Sequence, residues 1–146
     1  MDTTVYDPFD ERYCLTHFHA EQNPATCWET FAIVTACNPM GRSQSAAKNL
    51  ECMRDLAHAI AELGFESMRV NGIDPNGGHV EESFAVHCGS EVAQQLCQRY
   101  EQLAYYMVSA GELTLHSTNS NSNISIAQWE HRLQIRALRA TDEFWA

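Results

Sequence analysis

The period of apolar positions changes several times along the chain, and each change marks an element. Phe31-Ala32-Ile33-Val34 is an unbroken apolar run inside residues 28–37, which predicts a buried strand. Asn38-Pro39-Met40-Gly41 ends that strand with turn chemistry. From 43 to 63 the spacing becomes helical, with Leu50, Met53, Leu56, Ala57, Ile60 and Leu63 on one face. Ser43 or Ser45 can accept an orphan backbone N–H at its start, and Gly64 can take the left-handed position beyond its end. Residues 65–70 predict a second strand closed by Asn71-Gly72, and Asp74-Pro75-Asn76-Gly77-Gly78 predicts a tight turn. A third strand at 81–88, a helix from Ser90 to about 100, a fourth strand at 103–108 and a short strand at 112–116 follow.

The ends read differently. Residues 13–19 alternate as a strand does, and Asn23-Pro24-Ala25 marks a turn. Residues 117–123, all Ser, Thr or Asn, read as a polar linker. Beyond it, Ile126, Trp129, Leu133 and Ala137 share one face of a predicted helix over 124–139, with Arg132, Arg136 and Arg139 as an adjacent stripe. The expected organisation is one α+β domain at 1–116, a linker at 117–123, and a C-terminal helix and tail at 124–146. The central order β-α-β-β-α-β predicts a mainly antiparallel, ferredoxin-like or related split βαβ sheet with helices packed on one face. The pattern leaves the strand order open.

Composition adds bounds to this outline. A chain of 146 residues with 45% hydrophobic content can bury one core and is too short for two comfortable domains. Nine Lys and Arg against nineteen Asp and Glu give a net charge of −10. That balance disfavours direct nucleic-acid or anionic-lipid binding, which Lys and Arg drive, and leaves docking on a basic protein surface open. The N-terminus lacks a secretory pattern and no apolar run is long enough to cross a bilayer, so a cytoplasmic protein with reduced cysteines is expected. There is no Cys-x-x-Cys pair among the six cysteines. Homo-oligomerisation is left open.

Several groups carry candidate chemistry. The loop Asn38-Pro39-Met40-Gly41-Arg42-Ser43 precedes a helix, where free N–H groups with Arg42 and Ser43 could hold an anion; an ordinary capped loop is the commoner outcome. In the strand at 81–88, Phe84 and Val86 point one way and Glu81 and Ser83 the other. Glu81 could serve as a general base with Ser83 as its partner, against the plain alternative of a solvated sheet face. His17 and His19 share a strand face and make half of a metal site, but no third ligand is evident, so no metal is assigned. His87-Cys88 face opposite sides of a strand, and Ser45-Ala46-Ala47-Lys48 matches Ser-x-x-Lys without its companion motifs. The Arg stripe beside Trp129 could meet a nucleic acid or an acidic partner; docking of the helix on its own domain is favoured.

Five segments occur in a telling order: Ile33-Val34-Thr35-Ala36-Cys37-Asn38-Pro39, then Asn49, then Gly72-Ile73-Asp74-Pro75-Asn76-Gly77, then Glu81-Glu82-Ser83-Phe84, then Arg99-Tyr100-Glu101-Gln102-Leu103-Ala104. In this order and spacing, residues 28–108 resemble a small bacterial domain-of-unknown-function family, number 3293. The resemblance implies a bacterial or phage-borne cytosolic protein in which Asn38, Asn49, Glu81, Ser83 and Gln102 are typical polar positions. It supplies no reaction. His79 stands where family members usually carry Trp, which alters a pocket wall or adds a titratable group. If these side chains converge, they form an amide-rich pocket with one carboxylate, suited to a polar small molecule such as a nucleotide or sugar. In that pocket Glu81 and Ser83 would do any chemistry, and Asn38, Arg42, Ser43, Asn49, His79 and Gln102 would hold the ligand. The residues do not decide whether the protein is an enzyme, and no cofactor is indicated. The second expectation is an acidic modulator or inhibitor, phage or defence related, that docks on a basic partner.

Overall fold

In the computed structural model, which describes residues 7–76 and 79–138, eight strands form one sheet in the order β7-β6-β5-β2-β4-β3-β1-β8. They are β1 (His17–Ala20), β2 (Thr30–Val34), β3 (Ser67–Ile73), β4 (Val80–Val86), β5 (Ala104–Ser109), β6 (Glu112–Ser117), β7 (Asn123–Gln128) and β8 (Leu133–Ile135). Helices α1 (Glu11–Cys14), α2 (Ala46–Glu62) and α3 (Ser90–Arg99) complete the chain, with short 3₁₀ turns at Pro24–Thr26, Pro39–Gly41 and Trp129–His131. Every strand pair is antiparallel except β1 with β8. The expected α+β class and mostly antiparallel sheet are therefore found. The sheet is twice as wide as the four strands of the predicted β-α-β-β-α-β unit.

α2 forms where the helical spacing placed it. Ser45 caps it, its side chain accepting from Lys48 N at 3.2 Å, and Gly64 at φ +82° ends it. Met53, Leu56, Ala59 and Ile60 are buried against Val34, Phe84 and Val86, together with Ala93, Leu96 and Cys97 of α3. Both longer helices thus cover one face of the sheet.

The other face is not solvated. Phe18, Phe31, Ile33, Val70, Ala85, Val108 and Leu113 form a second buried cluster there, with Trp28 and Trp129. Chain connectivity explains how one sheet buries its own face. β7 and β8 are opposite edges of the sheet, yet only residues 129–132 join them. Eight flat strands would hold their edges ~34 Å apart at ~4.8 Å per spacing. Five residue steps span at most ~17 Å, so the sheet must curl. Trp129, 1% exposed, plugs the concave side, its ring 5.2 Å from Phe18 and 5.5 Å from Phe31, and its Nε1 donates to Asn23 Oδ1 at 3.0 Å.

Two sequence expectations are corrected. The C-terminal helix does not form: residues 124–138 supply all but the first residue of β7, the 3₁₀ turn and β8, and the residues read as linker close the β6–β7 hairpin, Ser117 ending β6 and Asn123 opening β7, with Ser117 N donating to Ser122 O at 3.0 Å. Ile126, Trp129 and Leu133 do share a surface, but through strand alternation and the curl rather than a helical turn. Arg132 is no part of a free stripe, since its guanidinium donates to Cys14 O at 2.9 Å and Thr16 O at 3.0 Å; Arg136 is exposed, and Arg139 lies outside the described residues. Likewise residues 13–19 are not one strand. Asp10 accepts from Arg12 N at 2.9 Å and caps α1, so Tyr13 and Cys14 are helical and β1 begins at His17. Gly77 and Gly78 of the predicted turn, residues 1–6, and residues 139–146 also lie outside the described part.

Candidate functional site

β4 runs near the middle of the sheet, and its alternation assigns side chains to the two faces. Phe84 and Val86 enter the helix-covered core, while Ala85 enters the concave cluster. Glu81 and Ser83 share the parity of Ala85 and so open onto the concave side. Below Trp129 the aromatic plug fills that side; at the other end of the curl it leaves a cavity of about 330 Å³. Glu81, Ser83 and Gly72 form one wall, and Thr35, Cys37 and Asn38 beyond β2 form the next. Phe18, Ile33, Tyr106 and Leu115 supply apolar surface, and Arg12 and Tyr13 of α1 with Thr16 just after it close another side. Tyr106 Oη fixes that side by donating to Tyr13 O at 2.7 Å, and Arg132 holds the carbonyls of Cys14 and Thr16.

The Asn38 side is held by a small amide network. Asn38 has left-handed backbone angles, φ 48° and ψ 61°, which Asn tolerates better than most residues. Its N–H donates to Asn49 Oδ1 at 2.9 Å, and Asn49 Nδ2 donates to Asn38 Oδ1 at 3.0 Å. Gln44 adds its N–H to Asn38 Oδ1 at 3.1 Å and its Nε2 to Asn49 Oδ1 at 2.8 Å. With Oδ1 engaged twice, Asn38 turns its amide Nδ2 toward the cavity, where it donates to Glu81 Oε2 at 3.4 Å. Gln102 ties the β2 end to the α3–β5 loop, its Nε2 donating to Cys37 O at 3.0 Å and Tyr100 O at 3.2 Å.

Burial acts strongly on the ionisable groups here. It pushes the Glu81 carboxyl from an ordinary 4.5 up to about 7, against the opposing pull of the Asn38 amide and of Arg12. Burial also lifts the Cys37 thiol to about 12, with the Thr35 hydroxyl opposing and Glu81 adding to the rise. The Tyr13 phenol is raised by burial first and then by Glu81. A carboxyl balanced near neutrality can take or give a proton, which is the property a general acid or base needs. Cys37 stays a thiol and is a poor nucleophile.

Of the residues singled out from sequence, Asn38, Ser43, His79, Glu81, Ser83 and Gln102 line one cavity. Asn49 does not line it and acts through Asn38. Arg42 is exposed and is not among the lining residues, although its neighbours Gly41 and Ser43 are. Ser83 Oγ donates to the backbone carbonyl of Glu81 at 3.4 Å, so no hydroxyl-to-carboxylate relay joins the two side chains. Arg12, Tyr13, Thr35, Asp74 and Tyr106 complete the cavity and were not singled out from sequence. Parity with Ile33 could have flagged Thr35. Nothing local could have flagged Arg12 and Tyr13, which reach the site only through the curl. Among the described residues no three His, Cys, Asp or Glu side chains gather as metal ligands, all six cysteines are free, and no helix is long and apolar enough to cross a membrane.

The fold and site thus define a single α+β domain whose curled sheet carries a cavity of mixed polar and apolar lining on its concave side. Residues 34–105, about half of the chain, match the family described as "Protein of unknown function (DUF3293)", which establishes the resemblance drawn from the sequence. No curated protein and no solved structure matches the chain. The matched segment carries Asn38, Asn49, Glu81, Ser83 and Gln102. Arg12, Tyr13, Thr16, Tyr106 and Leu115 come from outside it, so one side of the cavity belongs to the matched core and the other to the flanking chain.

Proposed function

We propose that the protein binds a small polar molecule in the concave cavity, with Glu81 as the group that recognises it or exchanges a proton with it. One observation carries this reading: a half-buried carboxyl at a cavity wall, given one long hydrogen bond among the described residues, from Asn38, is costly unless a ligand uses it. A volume of about 330 Å³ is at the low end of the ~300–1,000 Å³ usual for small-molecule sites. The unit that carries the cavity is read as a split βαβ core of ferredoxin-like kind, widened at both edges, and six free cysteines fit a cytoplasmic setting. The alternative, an acidic body docked on a basic partner, rests on the net charge of −10 alone.

A thermal-shift panel of nucleotides, nucleosides, sugars and divalent metals, run on wild type and Glu81→Gln, tests the reading. A compound that stabilises wild type and not the variant supports it, with about 2.7 kcal/mol expected at a concentration a hundred times Kd. A panel extended to small organic amines that still gives no shift speaks for the docking alternative.

A further inference from the structure

We propose that the cavity takes a small organic cation, an ammonium or amidinium on a compact apolar body, with the Glu81 carboxylate as its counter-ion and the Phe18, Tyr13 and Tyr106 rings around it. The inference rests on the cavity being a binding site and narrows what that site holds.

The charge around Glu81 favours a cation. Among the described residues, Asn38 supplies the one hydrogen bond to its carboxylate, long at 3.4 Å. Arg12 also acts on it from α1, but that guanidinium is committed to Asp10 at 3.0 Å and its side chain is 67% exposed. The other titratable groups facing the cavity are Tyr13 from α1, Cys37 after β2, Asp74 and His79 from the β3–β4 connection, and Tyr105 and Tyr106 from β5. Asp74 spends Oδ1 on Asn76 N at 2.8 Å and adds a second negative charge. Two carboxylates against one committed arginine repel a phosphate and attract a cation. The remaining lining fits the same ligand. Phe18 and Tyr106, which meet edge to face at 5.1 Å, line the cavity together with Tyr13 and the Glu81 carboxylate, and aromatic lining with a carboxylate suits an ammonium group. Ile33 and Leu115 take an apolar body.

Binding then carries a proton balance. Near pH 6 the free Glu81 carboxyl is largely protonated, since burial lifts it to about 7. A bound cation favours the carboxylate, so the carboxyl proton leaves to the buffer as the ion pair forms. Affinity for a cation should rise from pH 6 to pH 8 by up to about tenfold per pH unit below 7 and level off above it.

The test is isothermal titration of the full chain with benzylammonium, benzyl alcohol and benzoate at pH 6 and pH 8, in two buffers of different ionisation heat. The expected result is benzylammonium binding at pH 8 about ten- to a hundredfold tighter than benzyl alcohol, with proton release at pH 6 and no such preference in Glu81→Gln. Equal binding of the alcohol, a preference for benzoate, or failure of benzylammonium where another panel compound binds overturns the cation and leaves the binding reading intact. Silence of all three probes together with the nucleotide and sugar panel removes both. Should Glu81→Gln fail to fold, the wild type decides alone: benzylammonium binding no tighter than benzyl alcohol at pH 8 overturns the inference.

Discussion

Neutralising Glu81 should stabilise the protein above neutral pH. In the folded chain this carboxyl holds its proton up to about pH 7, against 4.5 for an ordinary glutamate. Between those values the folded state binds more protons than the unfolded state, so stability falls as pH rises through the window. The full penalty is about 3 kcal/mol at ~1.36 kcal/mol per pKa unit, absent below 4.5 and complete above 7. Gln keeps the shape of the protonated acid and cannot ionise, so Glu81→Gln escapes the penalty. Urea unfolding of wild type and variant at pH 5 and pH 8 isolates the effect, because all other titrating groups are common to both. The variant should gain about 2.5 kcal/mol on wild type between the two pH values. Parallel profiles, within about 0.5 kcal/mol, would show that Glu81 is well solvated when folded and would refute the reasoning.

Three further outcomes follow from the same geometry. Trp129→Ala should cost about 3–5 kcal/mol in urea unfolding, because it empties the concave plug and leaves Asn23 without its indole donor; Trp129→Phe should cost distinctly less. Asn49→Ala removes the acceptor for Asn38 N and Gln44 Nε2 and should cost about 2–3 kcal/mol, with Asn49→Asp recovering part of it by keeping the acceptor. In native protein at pH 8, iodoacetamide should label exposed Cys27 while Cys37, with its thiol pushed up to about 12, and Cys88, up to about 11, stay protected until urea is added; equal labelling rates at Cys27 and Cys37 would contradict the burial.

Much of the site is legible in the residue pattern alone. The alternation of Glu81, Ser83, Phe84 and Val86 assigned the two faces of β4 correctly, because strand parity is a local property. The spacing over 43–63 gave α2 for a similar reason: one continuous apolar stripe and a Ser cap define a helix within its own sequence. The solvated alternative for the Glu81 face failed for a non-local reason. Whether a sheet face meets water depends on where the sheet edges go, and residues 129–132 pull β7 and β8 around to cover it. The tail was misread because Ile126, Trp129 and Leu133 fit a helical period and a strand–turn–strand path equally well. The choice fell to the unpaired edges of β6 and β1, whose backbone groups needed partners.

By itself, then, the sequence determined the local elements from β2 to β5, the parity that sets Glu81 and Ser83 opposite the helix-covered core, and the family resemblance over that stretch. Only the tertiary structure decided that the opposite face is enclosed, that Arg12, Tyr13 and Tyr106 stand across from Glu81, and that its carboxyl is driven toward neutrality. The physical reason is that periodicity records what a residue's own strand or helix requires. Desolvation of a carboxyl depends on atoms brought from β1, β5, β6 and the turn at Trp129, far apart along the chain, and no local pattern encodes that distance.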